Sequence, residues 1–512
     1  MTILTRPGFE TIFKMISSDS PASDSMSKLI APMILNQSVG LYADFISGVS
    51  TSLKEIGTGV VKRTLEKMDL EFRNSPGRSQ RYYVKSTRER TIITIFGEVT
   101  YLRTEYTDRT SGKPFIYVDE EIGLFRKQRY DSTIAALAYE YYSHQPSMAE
   151  TGRVIGDWIA GFRLDPDRYK YHISRQQIFS MINRFSSIQI ETEQAKRTPD
   201  TLYIMADEKY IHLQQEKPRY KEELLKQGYT VKETVEACKS RHFSEMVKLA
   251  VVFTGREQLK DKNGLPLKYP RWKLKETKYL AYPHDTKNFW PNVMDELSFM
   301  YDMKKVKRIY VLGDGAEWIR SGARELSSQY CKAEFALDRY HLSKKINTIT
   351  KEKAYRRLLT DYIVHGDRDS FLKTIDALYQ NTEKTDKVTD SINYILKHMG
   401  AAVIMQNEVR IGCAMEQAIS HVLASPFTCI PKAYVSSHLH TYVQARILYK
   451  NKQDLTRIYI SACDNAKTAN RSDSYNIDID LTKEDLDFSI FDSKATDPYY
   501  HADLSTIDHR VQ

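Results

Sequence analysis

The feature that most constrains the fold is the order of strand-like and helix-like segments between residues 201 and 341. Three segments with strand composition come first: TLYIMADEKYIHLQ (201–214), EMVKLAVVFTG (245–255) and KETKYLAYP (275–283). An amphipathic segment, KNFWPNVMDELSFMYD, precedes the alternating segments RIYVLGDGAEW, EWIRSGARELSS and KAEFALDRYH. Hydrophobic periodicity therefore predicts the order β-β-β-α-β-α-β, with no long helix between the first three strands.

This order is that of a ribonuclease-H-like domain, in which three antiparallel strands form a meander and the last two strands pair in parallel. The first and fourth strands of such a sheet are neighbours. Asp207 interrupts the first strand and Asp314 ends the fourth, so the two side chains are expected to face each other. Adjacent carboxylates repel unless cations lie between them. The pair predicts a site for two divalent ions, Mg²⁺ or Mn²⁺, suited to phosphoryl transfer.

A third carboxylate ligand is expected from a helix that follows the fifth strand. Glu416 is the candidate, because it lies at the edge of an apolar stripe that contains Met415, Ile419 and Val422. A solvated or salt-bridged surface acid is the alternative reading for Asp207, Asp314 and Glu416 alike.

Further polar residues follow the fifth strand directly. Asp338 and His341 have Asp-x-x-His spacing, which suits support of metal ligands or simple stabilisation of a turn. Lys344 and Lys345 would suit phosphate contact, although two lysines on a helix are usually only solvated.

The N-terminal half alternates between helical and strand patterns. Residues 131–186 contain three helical segments, and Ser174 fits the N-cap of the third. The apolar stripe of that third segment leaves Arg175, Gln176 and Gln177 exposed in its first turn. A helix-turn-helix presents base-reading side chains in this way, but many three-helix bundles also place polar residues there.

Charge is distributed unevenly along the chain. The 512 residues hold 75 Lys and Arg and 66 Asp and Glu, a net charge of +9. Residues 471–512 contain ten acids and four bases, so this segment carries −6 and the rest carries +15. A basic body predicts a polyanionic partner such as double-stranded DNA, or else is simply a basic surface.

Several classes of protein are excluded by composition. No apolar run approaches the ~20 residues that span a bilayer, and the first twenty residues lack the apolar core of a secretion signal. Five scattered cysteines without a C-x-x-C pair argue against a disulfide framework and structural zinc. A cytoplasmic protein without a membrane partner is expected.

Four motifs resemble the ISLre-type insertion-sequence transposases of bacteria, an uncharacterised protein family distantly similar to the Mutator-like transposases. They are ADEKYIHLQ (206–214), GDGAEWI (313–319), LDRYHLSKKI (337–346) and GCAMEQAISHVLAS (412–425), in that order. The resemblance implies a DDE transposase with the triad Asp207, Asp314 and Glu416, supported by Asp338 and His341. It also implies a helical insertion before the catalytic glutamate.

The sequence thus predicts a multidomain α+β protein that is a nucleoid-associated DNA transposase and a homo-oligomer on the DNA of its element ends and target. A ribonuclease-H-like nuclease without strand transfer and a non-catalytic DNA-binding derivative are the alternatives. The expected regions are 1–79 (helical), 80–130 (small antiparallel β), 131–190 (helix-turn-helix-like), 200–341 with 408–450 (ribonuclease-H-like), 342–407 (helical insertion) and 466–512 (acidic, disordered tail).

Overall fold

The computed structural model describes residues 42–470, except for residues 126, 162–165, 186–195, 215, 241–242, 270, 284–286, 413 and 429–433. These residues form a mixed α+β protein with several sheets, as predicted. They divide into two compact units. Within the described residues the first unit contains 42–142, 147–184 and 455–470, and the second contains 143–146 and 185–454.

The first unit begins with a long helix packed on a small sheet. Helix α1 (Tyr42–Asn74) ends where Ser75-Pro76-Gly77 interrupts helical geometry. Strands β1 (Tyr82–Thr94) and β2 (Gly97–Asp108) form an antiparallel hairpin, and β3 (Pro114–Phe115) pairs with β2. Phe72 of α1 is fully buried against the aromatic side chains of this sheet, so the helix and hairpin share one core.

The remaining helices of the first unit are short. They are α2 (Arg78–Arg81), α3 (Tyr117–Glu121), α4 (Ser132–His144, whose end belongs to the second unit), α5 (Met148–Ala160), a 3-10 turn (Pro166–Tyr171), α6 (Arg175–Ile182) and α18 (Leu455–Asn470). The three helices expected between 131 and 186 are present. Residues 161–174 separate α5 from α6, however, which is longer than the three- or four-residue turn of a helix-turn-helix.

Helix α18 also revises the start of the expected tail. It extends past residue 466, and the Tyr459 hydroxyl donates a 2.7 Å hydrogen bond to the Met181 carbonyl of α6. Residues 466–470 are therefore helical. The expected disordered segment from 471 to 512 lies outside the described residues.

The second unit is built on a five-stranded sheet. Its strands are β4 (Thr201–His212), β5 (Ser244–Phe253), β8 (Lys278–Ala281), β9 (Arg308–Gly313) and β10 (Lys332–Leu337), in the spatial order β10-β9-β4-β5-β8. Strand β4 is antiparallel to β5 and parallel to β9, and β10 is parallel to β9. The first and fourth strands of the series are therefore neighbours, as the sequence predicts.

Two insertions decorate this sheet. Helices α7 (Glu216–Lys226) and α8 (Val231–Ser240) lie between β4 and β5, where no long helix was predicted. Their polar composition conceals them, because both are exposed along most of their length. A hairpin of β6 (Gly255–Gln258) and β7 (Trp272–Lys275) precedes β8.

The two faces of the sheet have different roles. One face carries Leu202, Ile204 and Ala206 of β4 into a core with α9 (Phe289–Met300) and α10 (Glu317–Glu325). Because side chains alternate along a strand, Met205 and Asp207 point to the opposite face.

A helical subdomain follows β10. Helices α11 (Arg339–Ile349), α12 (Lys353–His365), α13 (Arg368–Leu378) and α14 (Asp386–Ile404) share a separate apolar core. The chain continues through a π turn (Met405–Val409), α15 (Met415–Ile419), a second π turn (Ser420–Ala424), α16 (Ser425–Phe427) and α17 (Ser436–Lys450). No helix in the described part of the chain is long and apolar enough to cross a membrane.

Candidate active site

Asp207 lies just past the middle of β4, opposite Leu249 of β5, and directly follows the buried run Ile204–Ala206. Its Oδ1 accepts a 2.8 Å hydrogen bond from the Glu208 backbone N–H. Burial, reinforced by the negative charges of Glu208, Asp314 and Glu416, raises the pKa of Asp207 to about 6 in spite of that hydrogen bond. The folded chain therefore holds this carboxylate at an electrostatic disadvantage.

Asp314 directly follows β9, the parallel neighbour of β4, and its Oδ1 accepts a 2.8 Å hydrogen bond from the Ala316 N–H. Gly315 has φ +91°, and a Cβ there would lie 3.0 Å from the His398 ring. A side chain at residue 315 would thus be both strained and crowded. The Tyr394 hydroxyl donates to the Asp314 carbonyl, so α14 fixes this turn from the other side.

Glu416 lies in the first turn of α15, which the sheet positions directly. The Ala414 N–H lies 3.2 Å from the Met205 sulfur, and Met415 and Ile419 are buried. The Glu416 side chain itself is 53% exposed. One turn of π-helix follows α15, a feature frequent at functional sites.

Asp338 and His341 connect these elements. Asp338 is the N-cap of α11, its N–H donates to the Gly313 carbonyl at 2.9 Å, and its Oδ2 lies 3.0 Å from His341 Nδ1. Nε2 of His341 lies 3.5 Å from Oε1 of Glu416. The hydrogen bond from Asp338 raises the pKa of His341, and the charges of Asp338, Asp314 and Glu416 reinforce the shift against the effect of burial.

The structure brings the five predicted site residues to one edge of the sheet. Asp207, Asp314 and Glu416 are close enough to interact electrostatically, and His341 lies between Asp338 and Glu416. Among the described residues, no group of three or more His, Cys, Asp or Glu side chains stands at metal-holding separation. Oxygen donors that share uncompensated charge nevertheless match the chemistry of hard divalent ions.

A neighbouring acid has a different environment, which the sequence did not reveal. The Trp318 indole N–H donates a 2.8 Å hydrogen bond to Glu208 Oε2, and the buried Lys248 ammonium lies 4.8 Å from the Trp318 ring centroid. Burial lowers the pKa of Lys248, whereas Glu208 opposes that shift. Trp318 also packs against the core of the sheet.

Two other glutamates of the second unit, Glu408 and Glu317, are paired with arginines. Glu408 accepts hydrogen bonds from Arg308 at 2.9 Å and the Tyr310 hydroxyl at 2.7 Å. Arg308 begins β9, whereas Asp314 follows its other end, so Glu408 lies far from the carboxylates. Glu317 pairs with Arg320 of the same helix.

The predicted DNA-contact residues differ in their exposure and partners. Arg175 and Gln176 are exposed in the first turn of α6. Gln177 instead completes a capping box, because its Oε1 accepts from the Ser174 N–H at 3.2 Å and hydroxyl at 2.9 Å. Lys344 is exposed on α11, whereas the Lys345 ammonium lies 4.9 Å from the Tyr394 ring centroid.

Comparison with known proteins assigns the chain to a family. The profile of the uncharacterised protein family UPF0236 matches residues 39–245 and 237–461, which is most of the sequence. The chain belongs to the UPF0236 family.

Other UPF0236 proteins match along most of their length. A UPF0236 protein of Caldanaerobacter subterraneus subsp. tengcongensis, TTE0610/TTE0881/TTE1053/TTE2432, is 24% identical over 432 residues, covering 83% of this chain and 81% of the relative. Another from that organism, TTE0033/TTE0744/TTE0838/TTE0852/TTE1082/TTE1247/TTE1519/TTE1678/TTE1739/TTE1823/TTE2212, is 24% identical over 422 residues, covering 81% of this chain and 79% of the relative. The UPF0236 protein in the vanSb 3′ region of Streptococcus gallolyticus is 21% identical over 361 residues, covering 69% of this chain and 70% of the relative.

Among solved structures, the Drosophila P element transposase strand transfer complex aligns with 67% of this UPF0236 chain and 82% of its own. The identity is 11% and the TM-score 0.24. Similarity at that level carries no argument about fold or function.

Proposed function

We propose that this UPF0236 protein is a DDE-type DNA transposase that cleaves DNA at the ends of its own mobile element and joins those ends to target DNA. The observation that carries the proposal is the set of carboxylates at one sheet edge. Asp207 has no cation within this set, and its neighbours Asp314 and Glu416 raise its pKa instead of lowering it. Acids arranged this way favour a cationic ligand over a purely structural role.

The strand order supports the same proposal. A sheet ordered β10-β9-β4-β5-β8, with only β5 running against the other strands, is the arrangement of ribonuclease-H-like domains. Asp207 and Asp314 come from its adjacent central strands β4 and β9, and Glu416 from a helix that contacts β4. In our assignment residues 200–341 and 408–450 form the catalytic domain, and 342–407 form its helical insertion.

Asp207, Asp314 and Glu416 would hold two Mg²⁺ or Mn²⁺ ions in this assignment. When bound, such ions would supply Lewis-acid activation of the attacking oxygen and neutralise charge on the phosphate and leaving oxygen. The reaction class is hydrolysis of a phosphodiester bond, followed by attack of the freed 3′-hydroxyl on target DNA.

His341 positions Glu416 in this scheme. Asp338 accepts from Nδ1, which leaves Nε2 directed at Glu416. The raised pKa favours a proton on both ring nitrogens, so the imidazolium partly compensates the carboxylates before any cation arrives. Lys344, exposed one turn further along α11, is placed to contact a DNA phosphate.

We assign recognition of the element ends to Arg175 and Gln176, which are exposed at the start of α6. We also propose that the protein acts as a homo-oligomer on the DNA and is associated with the nucleoid. The basic body of the chain supports a DNA partner. The printed name of one relative joins eleven locus designations from a single organism. Many copies in one genome are what a self-moving gene produces, in agreement with the resemblance to ISLre-type transposases.

The direct test is cleavage of DNA carrying the element's ends, with Mg²⁺ or Mn²⁺ present. Asp207→Asn, Asp314→Asn and Glu416→Gln should each lower cleavage by several orders of magnitude, as expected for loss of a metal ligand. Glu317→Gln and Glu408→Gln are matched controls and should stay within about tenfold of the parent.

Normal cleavage by Glu416→Gln together with an inactive Glu408→Gln would refute the third assignment. Cleavage without strand transfer by the parent would make the protein a nuclease. End binding without any cleavage by the parent would make it a DNA-binding derivative.

A further inference from the structure

A cavity of about 810 Å³ opens in the second unit beside the candidate active site. Its walls are the β6–β7 hairpin, strand β8, the helical turns after residue 411 and the end of α17. A volume in the ~300–1,000 Å³ range is typical of sites that enclose small molecules, and it accommodates a nucleotide. The site described above does not use this cavity.

The cavity adjoins the carboxylates on the same face of the sheet. Met205 lines it, and Asp207 lies two residues further along β4, about 7 Å at the rise of an extended strand. Gln417 also lines it and directly follows Glu416 in α15. An extended ligand lying in the cavity would therefore continue toward the three carboxylates.

The lining is rich in positive charge. Arg256, Lys273, Lys450 and Lys452 all line the cavity, and none of them forms an ion pair within the described residues. The acidic lining residue, Glu276, lies 3.6 Å from Arg197 and is therefore already paired. The lining thus favours an anionic ligand.

The hairpin that forms one wall extends this positive surface. Residues 255–275 contain seven Lys or Arg and two acids, a net charge of +5. None of these seven cations forms an ion pair in the part of the chain that the structure describes. In the sequence, this positive surface is marked by a basic run interleaved with Tyr269 and Trp272.

Trp272 provides an aromatic surface at the mouth of the cavity. Its side chain is 51% exposed, and the Arg256 guanidinium lies 4.3 Å from its ring centroid. Exposed indoles and stacked guanidinium groups bind nucleobases by stacking, and nearby cations bind the phosphates of the same strand.

The walls are held in a defined shape. The Asn451 side chain accepts from the Tyr279 N–H at 2.8 Å and donates to the Tyr279 carbonyl at 2.9 Å, which fixes β8 to the end of α17. Glu276 and Lys452, both lining residues, have φ of +51° and +56°. Non-glycine residues in this region persist where the surroundings impose it, often at ligand sites.

We propose that this cavity binds an unpaired stretch of DNA next to the bond that is cleaved. Trp272 stacks on a base, while Arg256, Lys273 and Lys452 bind the phosphates on either side of it. The strand is unpaired because a base within a duplex is stacked on its neighbours and offers no open face to an indole. The identification of the nucleic acid as DNA rests on the proposed function.

The test is binding of a fluorescein-labelled oligothymidylate of about 12 nucleotides to the full chain without divalent cations, followed by fluorescence anisotropy. Trp272→Ala should weaken binding by about 5- to 150-fold, and Trp272→Phe should recover most of it. Lys273→Ala and Lys452→Ala should each lower the slope of log K against log salt by about 0.7.

Control variants distinguish binding in this cavity from nonspecific electrostatic binding and from catalysis. Tyr330→Ala and Lys304→Ala remove an exposed aromatic and a cation outside the cavity and should leave binding unchanged. A blunt duplex should lose little affinity in Trp272→Ala. Parent-like binding by Trp272→Ala, or equal losses for single strand and duplex, would overturn the proposal. The assay includes no cleavage step, so failure of the proposed catalytic function would be seen separately.

Discussion

Two aspartates, one in each unit, have opposite surroundings. Asp119 of the first unit is buried and pairs with Arg90 and Arg103, while the Tyr101 hydroxyl donates to it at 3.4 Å. Asp207 of the second unit is half-buried and accepts one backbone hydrogen bond, and the charges that act on it are negative. The first carboxylate is neutralised by its own fold, whereas the second is not.

The difference separates a structural acid from one that we propose to be functional. Removing charge from water costs several kcal/mol per ion unless partners compensate it. The first unit supplies those partners, and Arg90 also donates to the carbonyls of Phe125 at 3.1 Å and Gln128 at 2.9 Å. For Asp207 of the second unit, we propose that a bound cation supplies this compensation.

The largest expected contrast is in stability. Asp119→Asn should lower the free energy of unfolding by about 3–5 kcal/mol, because it leaves two arginines without their carboxylate. Asp207→Asn should not lower it. Urea denaturation without divalent ions measures both, with circular dichroism as the probe. A destabilised Asp207→Asn and a neutral Asp119→Asn would reverse the comparison.

The ionisation of Asp207 should make the stability of the protein depend on pH, with a smaller effect than that of Asp119→Asn. Its folded pKa, about 6, lies above the ordinary 3.8, so the folded state retains a proton that the unfolded state has lost. Stability linked to this group is therefore full below about pH 4 and decreases as the pH rises to 6.

Asp207→Asn should accordingly be more stable than the parent by about 1–3 kcal/mol at pH 7, without metal, and equal to it near pH 3.5. Denaturation at both pH values checks this. An advantage that is the same at the two pH values would contradict a raised pKa.

Asp338 and His341 form a pair within the site, with 3.0 Å between Oδ2 and Nδ1. A change in this pair gives the smallest of the expected effects. Asp338→Asn should lower the pKa of His341, because the largest cause of its upward shift is removed. The stabilisation from a raised histidine pKa is present below about 6.5 and is lost as the pH rises through the folded value. The variant should therefore lose stability on the acidic side.

An NMR titration of the imidazole resonances measures this shift. Asparagine is a good N-cap, so α11 should keep its start. Burial, together with the charges of Arg320 and Lys397, lowers the pKa of His398 to about 4. This histidine serves as an internal control, and its titration should not change. An unchanged His341 titration would mean that Asp338 does not control it.

The sequence predicted the features that depend on local pattern. The order of the sheet strands followed from short runs of β-branched and apolar residues, and Ser174 caps the start of α6 as expected. The proximity of Asp207 and Asp314 followed from strand order, because Asp207 lies in β4 and Asp314 directly follows the neighbouring strand β9.

Features that depend on long-range contacts were missed. Tyr394 and His398 reach the Asp314 turn from a helix some eighty positions away, and no local pattern marks such a pairing. The α7–α8 helices were missed because polar and charged residues are in the majority in both segments. Gln177 was expected to be exposed, whereas its side chain is half-buried and caps α6 through Ser174.

Cation binding by the carboxylates is the central claim, and thermal unfolding with Mn²⁺ tests it most directly. Mn²⁺ should raise the Tm of the parent and of Glu408→Gln by the same amount, since Glu408 is paired with Arg308 away from the site. The Tm of Asp207→Asn and Asp314→Asn should rise much less. Equal shifts in all four proteins would show that these aspartates do not bind the metal.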